Sequence, residues 1–147
     1  MWGFGRRSAP PKPPNDRLAR YSSETASNVR GNNPHFHPAH LLDGNPGTYW
    51  STDDGVTESE VVLTFPAPVA FNVVSLREFL SLGQRVDHFA IDVDRNGQWQ
   101  EYAYGTAIGN RRLVRGVTCT TERVRLRIYG GAVCPALAEM VLFLDPN

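Results

Sequence analysis

The sequence of 147 residues has no excess of either charge: fifteen lysines and arginines balance fifteen acidic residues. Nucleic-acid binders usually carry a basic surplus, because neutralising phosphates supplies most of their affinity, so no nucleic-acid partner is expected. Long apolar runs are also missing, which excludes a transmembrane helix and leaves no expectation of membrane insertion. The opening residues, Met1-Trp2-Gly3-Phe4-Gly5-Arg6-Arg7, lack the apolar core of a signal peptide. Either an export signal is absent, or the chain is a piece of a longer exported protein. Cysteine is scarce. Cys119 and Cys134 pair only if the fold brings them together, and otherwise are two buried free thiols. No window sustains a helical period, and no internal repeat is visible.

What the chain has in quantity is punctuation. Eleven prolines and thirteen glycines interrupt it, as a turn-rich all-β domain requires. Its length suits one domain, and a chain of this size buries roughly two-thirds of its unfolded surface. Residues 1–17 contain Ala9-Pro10-Pro11-Lys12-Pro13-Pro14-Asn15-Asp16, a polyproline-like run expected to be a semi-rigid linker or a tail. The domain proper is expected over 18–147. Within it Val61, Leu63 and Phe65 alternate with Val62 and Thr64, and Pro66-Ala67-Pro68 is expected to close that strand. Residues 71–78 and 86–93 are apolar, β-branched runs of strand length. Arg95-Asn96-Gly97-Gln98 predicts a hairpin, since Asn-Gly supplies positive φ, with 99–104 returning. Val124, Leu126 and Ile128 alternate with Arg123, Arg125 and Arg127, the pattern of a half-buried strand. Residues 140–144 form a closing strand. Only Pro38-Ala39-His40-Leu41-Leu42 suggests a turn of helix. The expected fold class is all-β, an antiparallel β-sandwich or jelly roll.

The segment from His40 to Trp50 sets oxygen donors at Asp43, Asn45 and Thr48 among turn-forming residues. Such a loop can aim side-chain and carbonyl oxygens at one centre, as Ca²⁺ with about six to eight oxygen ligands requires. The spacing is not that of an EF-hand, and the same residues also suit a plain turn in which Asp and Asn bond their own backbone. His35, His37 and His40 cluster, but as a zinc signal they are weak. Arg111, Arg112 and Arg115 join the alternating arginines in a basic region, which reads as a solvated strand face rather than an anion patch. Carboxylates suitable for a glycosidase pair are present, yet nothing in their order sets two across a cleft. The chain is therefore not expected to be an enzyme.

The loop resembles the calcium loop of coagulation factor V/VIII type C (discoidin) domains and of family 32 carbohydrate-binding modules. There, a backbone carbonyl precedes an Asp-Gly-Asp/Asn run and a Thr-x-Trp, and a Glu near the C-terminus completes the site. Carried over, the resemblance implies a structural Ca²⁺ held by the His40 carbonyl, Asp43, Asn45, Thr48 through hydroxyl and carbonyl, the Ala138 carbonyl and Glu139. Asn45 stands where many members have Asp, which lowers the negative charge but keeps an oxygen. The resemblance runs from about Ala26 to Leu144. Residues 26–32, 49–55, 82–86, 97–101, 105–109 and 134–139 are similar, in order, to the module that follows the catalytic barrel of many bacterial α-L-fucosidases. No nucleophile or acid of that barrel can be transferred to this chain.

In this family the ligand usually sits on loops at one end of the sandwich, near the calcium loop. A sugar site needs planar donors and acceptors for hydroxyls and an aromatic face for the ring's C–H groups. The implied candidates are Asp53 and Asp54 after Trp50, then Arg77, Glu78, Gln84 and Arg85, with Tyr129 opening a third loop. An arginine fork could hold vicinal hydroxyls. Trp50 serves either as platform or as core anchor, and Arg77 and Glu78 could simply pair with each other. The expected function is a non-catalytic carbohydrate-binding module covalently linked to an α-L-fucosidase or related glycosidase. It would bind glycans ending in galactose, fucose or a related sugar. The alternative is a structural accessory domain without a sugar site. An extracellular or periplasmic setting is expected for the parent protein.

Overall fold

The computed structural model describes residues 23–146, so the proline-rich run expected to be a linker over 1–17 lies outside the described residues. Seven strands follow one another as β1 (Ser23–Ala26), β2 (Trp50–Ser51), β3 (Ser59–Glu78), β4 (His88–Arg95), β5 (Gln98–Gly105), β6 (Arg112–Tyr129) and β7 (Ala136–Phe143). All pair antiparallel, in the order β2-β7-β3-β6-β4-β5 with β1 on β3. Short 3-10 turns occupy Arg30–Asn32, Pro34–Phe36, Pro38–Leu42 and Leu80–Leu82. No helix among the described residues is long and apolar enough to cross a membrane.

Two long strands carry the architecture. The expectation that Pro66-Ala67-Pro68 ends a strand is corrected, because β3 continues through them to Glu78. Its pairing with β6 breaks between Thr64 and Val69. The prolines sit in that gap, where no ladder N–H is needed, so the ladder loses nothing to them. Before the break β3 pairs with β1 and with 123–128 of β6; after it, with β7 and with 112–121 of β6. The two strands thus pass from one layer of the sandwich to the other. The inward residues Val61, Leu63, Phe71, Phe89, Leu126, Met140 and Leu142 are buried between the layers. The hairpin forms as expected, with Asn96 at φ 56° and Gly97 at φ 84° between the paired Arg95 and Gln98. Cys119 and Cys134 are both buried and free, and burial pushes the Cys119 thiol above its ordinary pKa.

Because β3 runs out and back, both its ends lie at one end of the sandwich. Ser59 pairs with Ile128, while Glu78 and Trp50 both pair with Leu137. The connections after Trp50, after Glu78 and after Tyr129 therefore gather there.

Candidate functional site

At this end the turn at Arg30–Asn32 meets the connection after β2. Asp53 faces that turn: its Oδ1 accepts from Gly31 N at 2.7 Å and its Oδ2 from Asn28 Nδ2 at 3.3 Å, while its own N donates to Asn28 Oδ1 at 2.8 Å. The Gly31 N–H and then the Asn28 amide hold the Asp53 carboxyl below its ordinary pKa. Asp53 thus acts as a clasp between two loops. Asp54 is exposed and pairs with the guanidinium of Arg30. Arg30 Nη2 also reaches Cys134 Sγ at 3.5 Å.

The same sulfur receives Arg85 Nη1 at 3.3 Å, and Arg85 further donates to the carbonyls of Cys134 at 3.1 Å and Leu82 at 3.2 Å. Its side chain has no carboxylate partner, and its Nη2 makes no hydrogen bond among the described residues. Leu82 and Val133, on the two loops that Arg85 bridges, are exposed apolar residues. The cluster therefore presents a charged donor, an exposed carboxylate with its own arginine, and apolar surface on either side.

Glu78, a candidate for ligand contact, is 3 % exposed. Its carboxylate accepts from Arg85 N at 2.6 Å, Val86 N at 3.1 Å and Gly109 N at 2.8 Å. This corrects its role to a buried brace that fixes the backbone of Arg85. Trp50 is fully buried and donates its indole N–H to Asn28 O at 3.1 Å, so it offers no ring face to a ligand and anchors the core instead. Arg77 turns to Asn110 O at 3.1 Å and lies 3.8 Å from Glu139, sharing no partner with Arg85. The Gln84 amide is exposed beside Gly109, where an added Cβ would come within 3.0 Å of it. Tyr129 is half-buried and stacks on His88 with ring centroids 5.6 Å apart. Thus Asp53, Asp54 and Arg85 come together, Glu78 braces them, and Arg77, Gln84 and Tyr129 stand around the group. Asn28, Arg30 and Cys134 complete it. Asn28 and Arg30 belong to the 26–32 segment on which the family resemblance rests, but residue type alone marked neither as a site residue.

A family model described as the F5/8 type C domain matches residues 22–132. The chain belongs to the F5/8 type C family. Alpha-L-fucosidase 1 of Arabidopsis thaliana is 28 % identical over 134 residues, covering 88 % of this chain and 26 % of that protein. The chain spans about a quarter of the length of the curated relatives it matches. Among solved structures, a Ruminococcus gnavus GH29 fucosidase in complex with fucose is similar at TM-score 0.80 and 27 % identity, covering 88 % of this chain and 27 % of that one. The family 32 carbohydrate-binding module from Clostridium perfringens NanJ, in complex with galactose, shares the fold at TM-score 0.73 and 15 % identity over 86 % and 96 % of the two chains.

In this F5/8 type C domain the loop expected to hold calcium is closed by its own hydrogen bonds. Asp43 Oδ1 accepts from Asn45 N at 2.8 Å, and Oδ2 from Thr48 Oγ1 at 2.5 Å with His40 Nδ1 at 3.2 Å. Thr48 also bonds the Asn45 carbonyl, at 3.1 Å from its hydroxyl. The Asp43 carboxylate, the Thr48 hydroxyl and the Asn45 carbonyl thus lie together, while Asn45 Oδ1 accepts from Gly47 N at 2.8 Å. The oxygen donors suit a hard cation in type, but each is engaged here in the hydrogen bonds of a turn. Glu139 is engaged with arginines, its two oxygens 3.8 Å from Arg77 and 3.5 Å from Arg111. No group of three or more His, Cys, Asp or Glu suited to a metal occurs among the described residues. His37 instead caps the next turn, its Nδ1 accepting from Ala39 N at 3.0 Å.

The alternating arginines form a solvated but well-paired face. Arg125 and Arg127 donate to Asp92, at 2.7 and 2.6 Å to Oδ2 and at 2.9 Å from Arg127 to Oδ1. Arg123 and Arg125 lie over the Trp99 ring, each 4.7 Å from its centroid, a cation–π arrangement. Burial raises the Asp92 pKa, but hydrogen bonds from Arg127 and Arg125 and their charges prevail and hold it below the ordinary value.

Proposed function

We propose that this domain is a non-catalytic carbohydrate-binding module attached to an α-L-fucosidase or related glycosidase, and that it takes galactose- or fucose-type glycan ends at the Arg30–Asp54–Arg85 cluster. The observation that carries this reading is Arg85. Among the described residues its fork is held by two carbonyls and a thiol, has no carboxylate partner and keeps Nη2 unbonded, ready to donate to a sugar hydroxyl. Asp54 and Arg30 provide an acceptor and a second donor, while Leu82 and Val133 provide the apolar contact for ring C–H groups. The galactose and fucose bound by the similar proteins support this choice of ligand. A weak site on a tether acts by raising local concentration, so the parent enzyme meets its glycan more often without any change in the bond-breaking step. An extracellular or periplasmic setting follows from such a role. Calcium at Asp43, Asn45, Thr48 and the His40 carbonyl would be structural, tying the 43–48 loop into one shape.

Calorimetric titration with fucose, galactose and their β-glycosides tests the reading. Binding is expected, and the substitutions Arg85→Ala and Asp54→Ala should each weaken it at least tenfold while the protein remains folded. Folded protein that binds no terminal hexose would sink the sugar site and favour a structural accessory domain.

A further inference from the structure

Beside the loop cluster, an open cleft of about 400 Å³ lies where the chain leaving β1, the start of β3 and the end of β6 meet, lined by Ser27, Glu58, Ser59, Glu60, Arg127 and Tyr129 among others. Its walls are fixed. Ser27 N donates to Glu60 O and Ser27 Oγ accepts from Glu60 N, both at 2.9 Å, and the Tyr129 ring is stacked on His88. The one cation in the lining is already committed, since Arg127 is shared between Asp92 and Glu101. Glu58 is exposed with no partner among the described residues. Among the described residues the Glu60 carboxylate has only Arg125, at 3.8 Å, and that arginine is bonded to Asp92. The lining thus carries two carboxylates, Glu58 and Glu60, against one guanidinium that is already paired with Asp92 and Glu101, and the uncompensated charge lies on Glu58 and Glu60. Beneath it, Ser59 Oγ is buried and is the one buried side-chain polar atom without a hydrogen-bond partner among the described residues. Such a group is costly unless something supplies its bond.

A cleft with negative field, hydroxyls and a rigid aromatic edge suits a small cation that also carries hydroxyls. We infer that this cleft is a second saccharide subsite, selective for a hexosamine with a free, protonated amine. The ammonium lies between Glu58 and Glu60, and the sugar hydroxyls turn to Ser27 and the Ser59 floor. The choice of a sugar over another amine rests on the carbohydrate reading of the neighbouring loops; the choice of a cation does not.

The probes are the β-1,4-linked disaccharide of glucosamine and its fully N-acetylated counterpart, titrated into the whole chain by calorimetry and by amide chemical shifts. The free-amine form should bind about fivefold or more tighter, a margin on the scale of one exposed charge pair, and the margin should shrink in high salt. Glu58→Gln together with Glu60→Gln should abolish the preference. Both positions are at least partly exposed, and Glu58→Gln alone, made at a residue with no partner among the described residues, tests the same point if the double variant is unstable. Asp54→Ala should leave it intact. Equal binding of the two disaccharides overturns the proposal, as does a preference that survives both glutamines or disappears with Asp54→Ala. If fucose or galactose binds and the amine does not, the cleft subsite falls while the loop reading stands; amine binding without any neutral hexose binding gives the reverse.

Discussion

Replacing Glu78 by glutamine tests the brace on which the binding loops depend. The buried carboxylate accepts three backbone N–H groups, Oε1 from Arg85 and Val86 and Oε2 from Gly109. Glutamine has the same shape but only one acceptor atom. With its oxygen in the Oε1 place it keeps two bonds, and its NH₂ then faces the Gly109 N–H. A hydrogen bond to a charged group is worth about 1.5–3 kcal/mol, and a buried donor left without a partner costs a similar amount. Glu78→Gln should therefore destabilise the domain by about 2–3 kcal/mol. Glu78→Ala strips all three donors and should cost about 4–5 kcal/mol, at the level of breaking a buried charged contact. At this chain length about 2–4 °C of Tm accompanies each kcal/mol, so the two variants should melt about 4–12 °C and 8–20 °C below the wild type. Urea titration should show a lower midpoint at unchanged slope. The glutamine variant should also lose sugar affinity, because the Arg85 backbone is no longer held. A Glu78→Gln protein within about 0.5 kcal/mol of wild type, the ordinary scatter of surface changes, would refute the brace.

Three further outcomes follow from the same geometry. The Asp92 carboxyl is held below its ordinary pKa, so its contribution is fully present above the unfolded value of about 3.9 and is lost as pH falls through the folded value. Urea unfolding between pH 2 and 7 should show this acid loss in wild type and a flatter limb in Asp92→Asn, and identical limbs would contradict it. Trp50→Ala should cost about 3–5 kcal/mol through its core cavity, measured by calorimetric melting, whereas a small loss with abolished sugar binding would restore it as a platform. If calcium occupies the 43–48 loop, adding it at about 100 times its Kd should stabilise by about 2.7 kcal/mol; a Tm indifferent to chelator, or a calcium shift undiminished in Asp43→Ala, would remove the ion from the account.

The fold was legible wherever a period or a turn residue decided the local conformation. Asn96-Gly97 fixed a hairpin because only a few residues accept positive φ in succession, and the alternation about Leu126 fixed a half-buried strand. The continuity of β3 through Pro66 and Pro68 was not legible. A proline forbids a ladder bond at its own nitrogen, but whether that nitrogen faces a partner depends on register with a strand more than fifty residues away. The first half of β6 was hidden for a related reason. It exposes Leu113 and Val117 and buries Val114 and Cys119, so its pattern carries no clean period.

Residue types at the candidate site were legible, but their orientation was not, and orientation divides ligand contact from brace. Asp53 and Asp54 are chemically identical neighbours, yet one is bound by Asn28 and Gly31 and the other reaches the surface beside Arg30. Glu78 and Arg85 likewise stood as equal candidates. Three amides, seven, eight and thirty-one residues from Glu78, converge on its carboxylate, whereas Arg85 meets two carbonyls and a thiol and keeps a donor unbonded among the described residues. A buried carboxylate whose acceptors are filled has little to offer a ligand, because each new bond must displace an existing one. A guanidinium with an unspent N–H gains a bond outright. The number of unspent donors and acceptors therefore ranks these residues, and it places Arg85 and Asp54 ahead of Glu78 and Asp53 as the positions where substitution should change affinity more than stability.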